Sequence, residues 1–303
     1  MGTPNFYENK KMADPEPFKP IRKSAFMTYK KCPKKFWFSY FVHPDEYWNY
    51  NEKNNNNVAA AKGDIYHAEL DEFFDKIDYN LIYELNNDDK LFTYFRNKFS
   101  FSDHYEENPS DIDQWFDWTC RMEVNRSNFF KKRYSKTEFL QWYAPKACEI
   151  KVTMTDEIDR TGHIDRVDYL PKEQSYCIVE YKTGKNYDVT KPWSLTALRA
   201  ETAFYAIICN EMKIFDKPVH YWALYNPKIQ QFSIEKFPAA TMRAVNNTYK
   251  GLIQKIKEAG DFERKMSPLC MYCEYRRECF HGIEGQPKEY LFPNDYKSEE
   301  DVE

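Results

Sequence analysis

The chain has no apolar run long enough to cross a membrane, and its N-terminal MGTPNFYENKKMADPEP holds no apolar stretch. The expectation is a cytoplasmic protein without a membrane segment or signal peptide. Glycine is scarce at 8 in 303 residues, against 42% hydrophobic and 18% aromatic content, which excludes collagen-like, low-complexity and wholly disordered chains. Positive charge is not in excess either: the formal net charge is -4, so the global balance does not advertise nucleic acid. Eight cysteines do not make a disulfide scaffold at this length, and they read as reduced thiols or metal ligands. The length itself allows one large domain or two modest ones with a real core.

What is present is unevenly distributed. Residues 1–23 are polar and proline-rich and read as a flexible basic arm. Lys10, Lys11, Lys19, Arg22, Lys23, Lys30, Lys31, Lys34 and Lys35 face only Asp14 and Glu16 in this part of the chain, a local excess suited to phosphate or to solvent. Asn54–Asn57 form a polar tract and loop tip, and residues 284–303 form a polar acidic tail. The spacing of Tyr66, Leu70, Phe73 and Ile77, repeated by Trp115, Trp118 and Met122, predicts a helical region over 24–145, with NNDD (86–89) and DHYEENPSD (103–111) as loops.

The period changes after Pro145. ACEIKVTM (147–154), GHIDRVDYL (162–170) and YCIVEYK (176–182) read as strands, a helix follows over 196–212, and VHYWALYN (219–226) with QQFSIEKF (230–237) reads as a hairpin. Met242, Val245, Tyr249, Leu252 and Ile256 then mark a long helix. This order predicts an α/β fold, a mixed central sheet flanked by helices, with the core over 146–240 and a C-terminal helix and ligand segment over 241–283.

Two constellations carry chemistry. In YCIVEYK, Tyr176, Ile178, Glu180 and Lys182 share a face, because strand side chains alternate. Asp165 on the preceding strand reaches the same place if the two pair as a hairpin. Two carboxylates supply hard oxygen ligands for a divalent cation, and a lysine beside it can orient the attacking water. His67, at the edge of the Tyr66–Leu70–Phe73 stripe, could complete the metal shell. Arg199, Glu201 and Tyr205 lie on the following helix, with Glu201 and Tyr205 four apart and able to address the site or its substrate. The second constellation is C-x2-C-x5-C at Cys270, Cys273 and Cys279, with Cys32 the best candidate for a fourth ligand. Cys120, Cys148, Cys177 and Cys209 read as core residues. Four cysteines suit zinc or a [4Fe-4S] cluster, and the spacing does not choose between them.

Taken in order, Cys32, GDIYHAEL, GHIDRVD, VEYKTG, the Glu201–Tyr205 helix and C-x2-C-x5-C resemble the RecB-like branch of the PD-(D/E)xK nucleases. Within it the likeness is to the iron–sulfur exonucleases of CRISPR adaptation and to AddB-type, end-processing nuclease domains. The resemblance spans roughly residues 24 to 282. It implies a restriction-endonuclease-like core with a helical insertion, and a metal-dependent DNA exonuclease acting on single strands or ends. It implies a [4Fe-4S] cluster on Cys32, Cys270, Cys273 and Cys279 that joins the N- and C-terminal segments. It also implies Mg2+ or Mn2+ held by His67, Asp165, Glu180 and the Tyr181 carbonyl, with Asp165, Glu180 and Lys182 catalytic. DNA is the implied partner, with a CRISPR integrase or recombination complex as a further one. Glu201 departs from the family's Gln-x-x-x-Tyr, since an ionised carboxylate accepts hydrogen bonds but donates none. That departure leaves as the alternative a weak or inactive DNA-end-binding subunit.

Overall fold

A computed structural model describes residues 20–42, 58–99, 109–184, 187–258 and 262–280. The tract 54–57, residues 103–108 and the acidic tail lie outside the described residues.

Elements run in the order β1 (Ile21–Arg22), α1 (Lys23–Lys31), α2 (Pro33–Trp37), α3 (Val58–Lys76), α4 (Tyr79–Glu84), α5 (Asp88–Arg96), α6 (Pro109–Lys131), α7 (Lys136–Trp142), β2 (Ala147–Met154), β3 (Arg160–Leu170) and β4 (Ser175–Tyr181). They continue as α8 (Pro192–Glu211), β5 (Val219–Asn226), β6 (Gln231–Lys236), α9 (Ala239–Lys257) and α10 (Arg276–Phe280). The strands form one mixed sheet in the order β1-β3-β4-β5-β6, with β2 on the other edge of β3. β4 and β5 are parallel and connected through α8, whereas β2–β3, β3–β4 and β5–β6 are antiparallel.

β4 lies at the centre, buried along its whole length, which is why SYCIVEY carries so many apolar residues. Its alternation feeds two cores. Tyr176 and Ile178 join the core built with α1, α8 and α9, and Cys177, Val179 and Tyr181 join that of α3, α5, α6 and α7. The result is helices on both faces of the sheet. The segments either side of the central strands pack into this core: Phe26 of α1 stacks on Phe204 of α8 at 5.0 Å and lies 6.4 Å from Tyr249 of α9.

The helical layer is fastened to the sheet by a buried charge network. Arg166 donates two bonds of 2.7 Å to Asp168 and one of 3.3 Å to Glu123. Arg126 bonds Glu123 at 3.2 Å and the Tyr143 carbonyl at 2.6 Å, while the Tyr143 and Tyr225 hydroxyls also donate to Glu123. Two guanidinium groups thus balance two carboxylates, the condition under which charges remain in an interior.

Three expectations change. Residues 21–23 are not part of a loose arm: Ile21 and Arg22 pair in parallel with Arg160 and Thr161, and Lys23 opens α1. NNDD is only half a loop, because the Asn87 side chain accepts from Lys90 N–H and caps α5, leaving Asp88 and Asp89 in a first turn that favours negative charge. Pro109 to Asp111 likewise begin α6, where a proline costs no hydrogen bond.

Candidate active site

The site forms where the sheet opens. One edge of β3 is shared, β4 pairing with residues 166–170 and β1 with residues 160–161. Asp165 stands at the fork. Where a longer ladder would need a β3 carbonyl, its Oδ2 accepts the Tyr181 N–H at 2.7 Å. The pleat slips here too: Ile164 and Val167, three apart, both enter the α8-side core, and Cys148 and Ile150, two apart, pack against opposite cores. Glu149, between them and beside Asp165, has φ of 43°, the left-handed region that a non-glycine residue rarely occupies. That twist turns Glu149 toward the fork.

His67, Glu149 and Asp165 consequently converge, each offering one ligand atom within 4.8 Å of the others. His67 Nδ1 lies 3.6 Å from Asp165 Oδ1 and 3.7 Å from Glu149 Oε1. Burial opposes the imidazolium, but Asp165 and Glu149 outweigh it and raise the His67 pKa to about 9. Burial, then the neighbouring Glu180, pushes the Asp165 carboxyl up. An anion pair crowded in this way is relieved by a cation.

On the α8 side, Glu180 is almost wholly buried, yet its pKa falls to about 2: burial acts against ionisation and is overcome by Lys182 and Lys23. Its Oε1 accepts from Lys182 at 2.7 Å and from Lys23 at 3.2 Å. Its Oε2 is buried with no hydrogen-bond partner among the described residues, as is Glu149 Oε1. Glu201 lies 3.5 Å from Lys23 and 4.0 Å from Lys182, so its carboxylate joins the same charge cluster. Tyr205 is buried beneath Lys23, whose Nζ sits 5.3 Å from the ring centre. The ring fits because residue 162 is glycine: a Cβ there would come 2.2 Å from Tyr205 Cε1.

Arg199 is not part of this group. Two residues before Glu201 on a helix is about 200° of rotation, which turns it away. Its guanidinium binds Glu235 of β6 at 2.8 and 3.0 Å. The Tyr181 backbone meets Asp165 through its N–H, and its side chain belongs to the α3-side core.

Cys32, Cys270, Cys273 and Cys279 are brought together, lining one cavity of about 270 Å³. The segments bearing them are also joined by other contacts. Lys34 N–H donates to the Glu263 carbonyl at 3.1 Å, Lys35 pairs with Glu274 at 2.8 Å, and Phe38 stacks on Tyr275. Burial raises Cys279 to about 11 against the pull of Arg264, and the neighbouring Cys32, Cys273 and Cys270 add to the rise, the mutual opposition expected when sulfurs are held close. Cys120, Cys177 and Cys209 are buried and Cys148 is half-buried, all in apolar packing.

Sequence reasoning missed Glu149 and Lys23. Strand alternation places Glu149 on the outer face, and only its left-handed backbone reverses this. Lys23 was masked by the charged run around it, and it enters the site because two residues of β1 carry it alongside Gly162.

The PD-(D/E)XK nuclease superfamily profile matches residues 23–280. No curated protein matches. Among solved structures, one from Eubacterium rectale titled "Putative exonuclease" is 11% identical, with 93% of this chain and 99% of that one covered and a TM-score of 0.41. Another, titled SSO0001, is 10% identical, with 57% and 75% covered and a TM-score of 0.27.

Proposed function

Because the chain belongs to the PD-(D/E)XK nuclease superfamily, we propose that it is a divalent-metal-dependent deoxyribonuclease that trims DNA at ends or along single strands. The observation that carries this reading is the convergence of Asp165, Glu180 and Lys182 with His67 and Glu149 at one opening in the sheet. The donor set fits a hard cation: an imidazole, carboxylate oxygens, and two buried oxygens, Glu149 Oε1 and Glu180 Oε2, without hydrogen-bond partners among the described residues. His67, Glu149 and Asp165 would hold Mg2+ or Mn2+, with Glu180 beside them. Bound there, the ion polarises a phosphoryl oxygen and lowers the pKa of water.

The chain's own groups do the rest. Lys182, fixed at 2.7 Å by Glu180, presents an ammonium to the charge that develops on the phosphate during attack. Lys23, held by Glu180 and Glu201, adds a second positive charge on the α8 side. Asp165, anchored by the Tyr181 N–H, keeps a fixed orientation for its ligand oxygen.

Cys32, Cys270, Cys273 and Cys279 fit a four-thiolate centre, and the likeness to iron–sulfur exonucleases favours [4Fe-4S] over zinc. Its role would be to fasten α1 and α2 to the C-terminal segment. The same likeness extends the reading to end trimming in CRISPR spacer acquisition or recombination.

The test uses 5′- and 3′-labelled oligonucleotides with Mg2+ or Mn2+. The protein cleaves, chelation stops it, and Asp165→Asn and Lys182→Ala remain folded and inactive. Full cleavage by both variants overturns the assignment. Binding without cleavage by the parent protein supports the end-binding alternative. Anaerobically purified protein should be brown, absorbing near roughly 400 nm. Colourless protein with stoichiometric zinc refutes the cluster.

A further inference from the structure

One part of the described surface that the nuclease site does not explain is the short helical turn Pro268–Tyr272 beside the cysteine cavity. It exposes Leu269, Met271 and Tyr272, with Tyr272 the most open of them at 86%. An apolar turn this open invites a partner. Its surroundings specify the charge of that partner. Lys31, Lys35, Arg264, Lys265 and Arg276 line the same cavity, and among the described residues its lining holds no carboxylate, so that within it only the four cysteines could oppose these five cations. Lys265 Nζ reaches the Lys30 carbonyl at 3.5 Å, which joins the turn's basic flank to α1.

α1 continues the positive charge to the nuclease site. Lys23 and Lys30 are seven residues apart on one helix, hence on the same face and about 10 Å apart. Lys23 meets Glu180 and Glu201, and Lys30 lies within electrostatic reach of both Glu201 and Lys265. A row of cations therefore runs from the carboxylate site along α1 to an exposed aromatic ring. Repeated phosphates match the row, and an unpaired base matches the ring, because a single strand exposes its base faces and a duplex hides them.

We propose that Lys30, Lys31, Arg264 and Lys265 track the backbone of a single-stranded nucleic acid whose end lies in the nuclease site, and that Tyr272 stacks on one of its bases. This inference rests on the nuclease reading and adds the path and strandedness of the substrate.

The experiment uses the full-length protein carrying Asp165→Asn, with Ca2+ and a fluorescent 20-mer of thymidine. Adding Tyr272→Ala should weaken binding about 5- to 150-fold, the range for loss of one stacked base, and Tyr272→Trp should restore it, with its fluorescence quenched on binding. The pair Arg264→Ala and Lys265→Ala should reduce the salt dependence of log Kd by about two phosphate contacts. Tyr272 is exposed, so these substitutions leave the core intact, which circular dichroism checks. Unchanged affinity in Tyr272→Ala, with the parent protein still cleaving, overturns this inference and leaves the nuclease standing. A parent protein that neither cleaves nor binds any oligonucleotide overturns both. Loss of binding to phosphatidylserine vesicles in Tyr272→Ala, with oligonucleotide affinity unchanged, overturns it in favour of a membrane surface.

Discussion

Gly162→Ala tests how the packing of α8 on β3 sets up the nuclease site. The new Cβ would lie 2.2 Å from Tyr205 Cε1 and 2.9 Å from Cδ1, whereas ordinary contacts begin at 3.4 Å, so the ring must withdraw by about 1.2 Å. The ring is only 1% exposed and lies beneath Lys23, so it cannot swing into solvent. Overpacking of this kind costs about 1–3 kcal/mol, and replacing glycine returns about 0.4–1 kcal/mol through the unfolded chain. A net loss of up to about 2.6 kcal/mol in urea denaturation is expected. Activity should fall further than stability. Tyr205 supports Lys23, which holds Glu180, and a displacement of about 1 Å in a catalytic site can cost ~100-fold in rate. A double-mutant cycle isolates the cause: in a Tyr205→Ala background, Gly162→Ala should cost almost nothing. The reasoning fails if Gly162→Ala alone keeps full stability and cleavage, or if its cost persists without the tyrosine ring.

The buried network supplies two further predictions. Arg166→Met strands Glu123 and Asp168 without a principal cation and should cost about 3–5 kcal/mol by denaturant midpoint; a loss under about 1 kcal/mol would contradict a shared network. Burial raises the Asp168 carboxyl, but Arg166 and then Arg126 outweigh it and hold its pKa below the usual value. Its stabilising contribution is therefore complete above about pH 4 and fades as pH falls through the folded-state value. Urea midpoints measured from pH 6 down to pH 2.5 should decline less steeply for Asp168→Asn than for the parent, and parallel curves would refute the assignment.

Much of the architecture is legible in the chain because it follows from local periodicity. The alternation of Ile150, Val152 and Met154 in ACEIKVTM, the dense apolar run of YCIVEY and the heptad-like spacing from Val245 to Ile256 correspond to β2, the central β4 and α9. The spacing of Glu180 and Lys182 likewise puts them on one face, and their 2.7 Å contact follows. Arg199 shows the limit of grouping by proximity in sequence: it lies on the same helix as Glu201 and Tyr205, but helical rotation gives it to Glu235.

What scarcity, charge and spacing determined by themselves was an α/β chain with candidate hard-oxygen and thiolate ligand sets, since residue type and period are local properties. Tertiary structure alone decided how those sets are completed. Glu149 joins His67 and Asp165 only because its backbone adopts a left-handed φ where two strands slip their alternation. Lys23 reaches Glu180 only because a two-residue strand docks on the open edge of β3. Both depend on contacts between segments far apart in the chain, and no local period records such a contact.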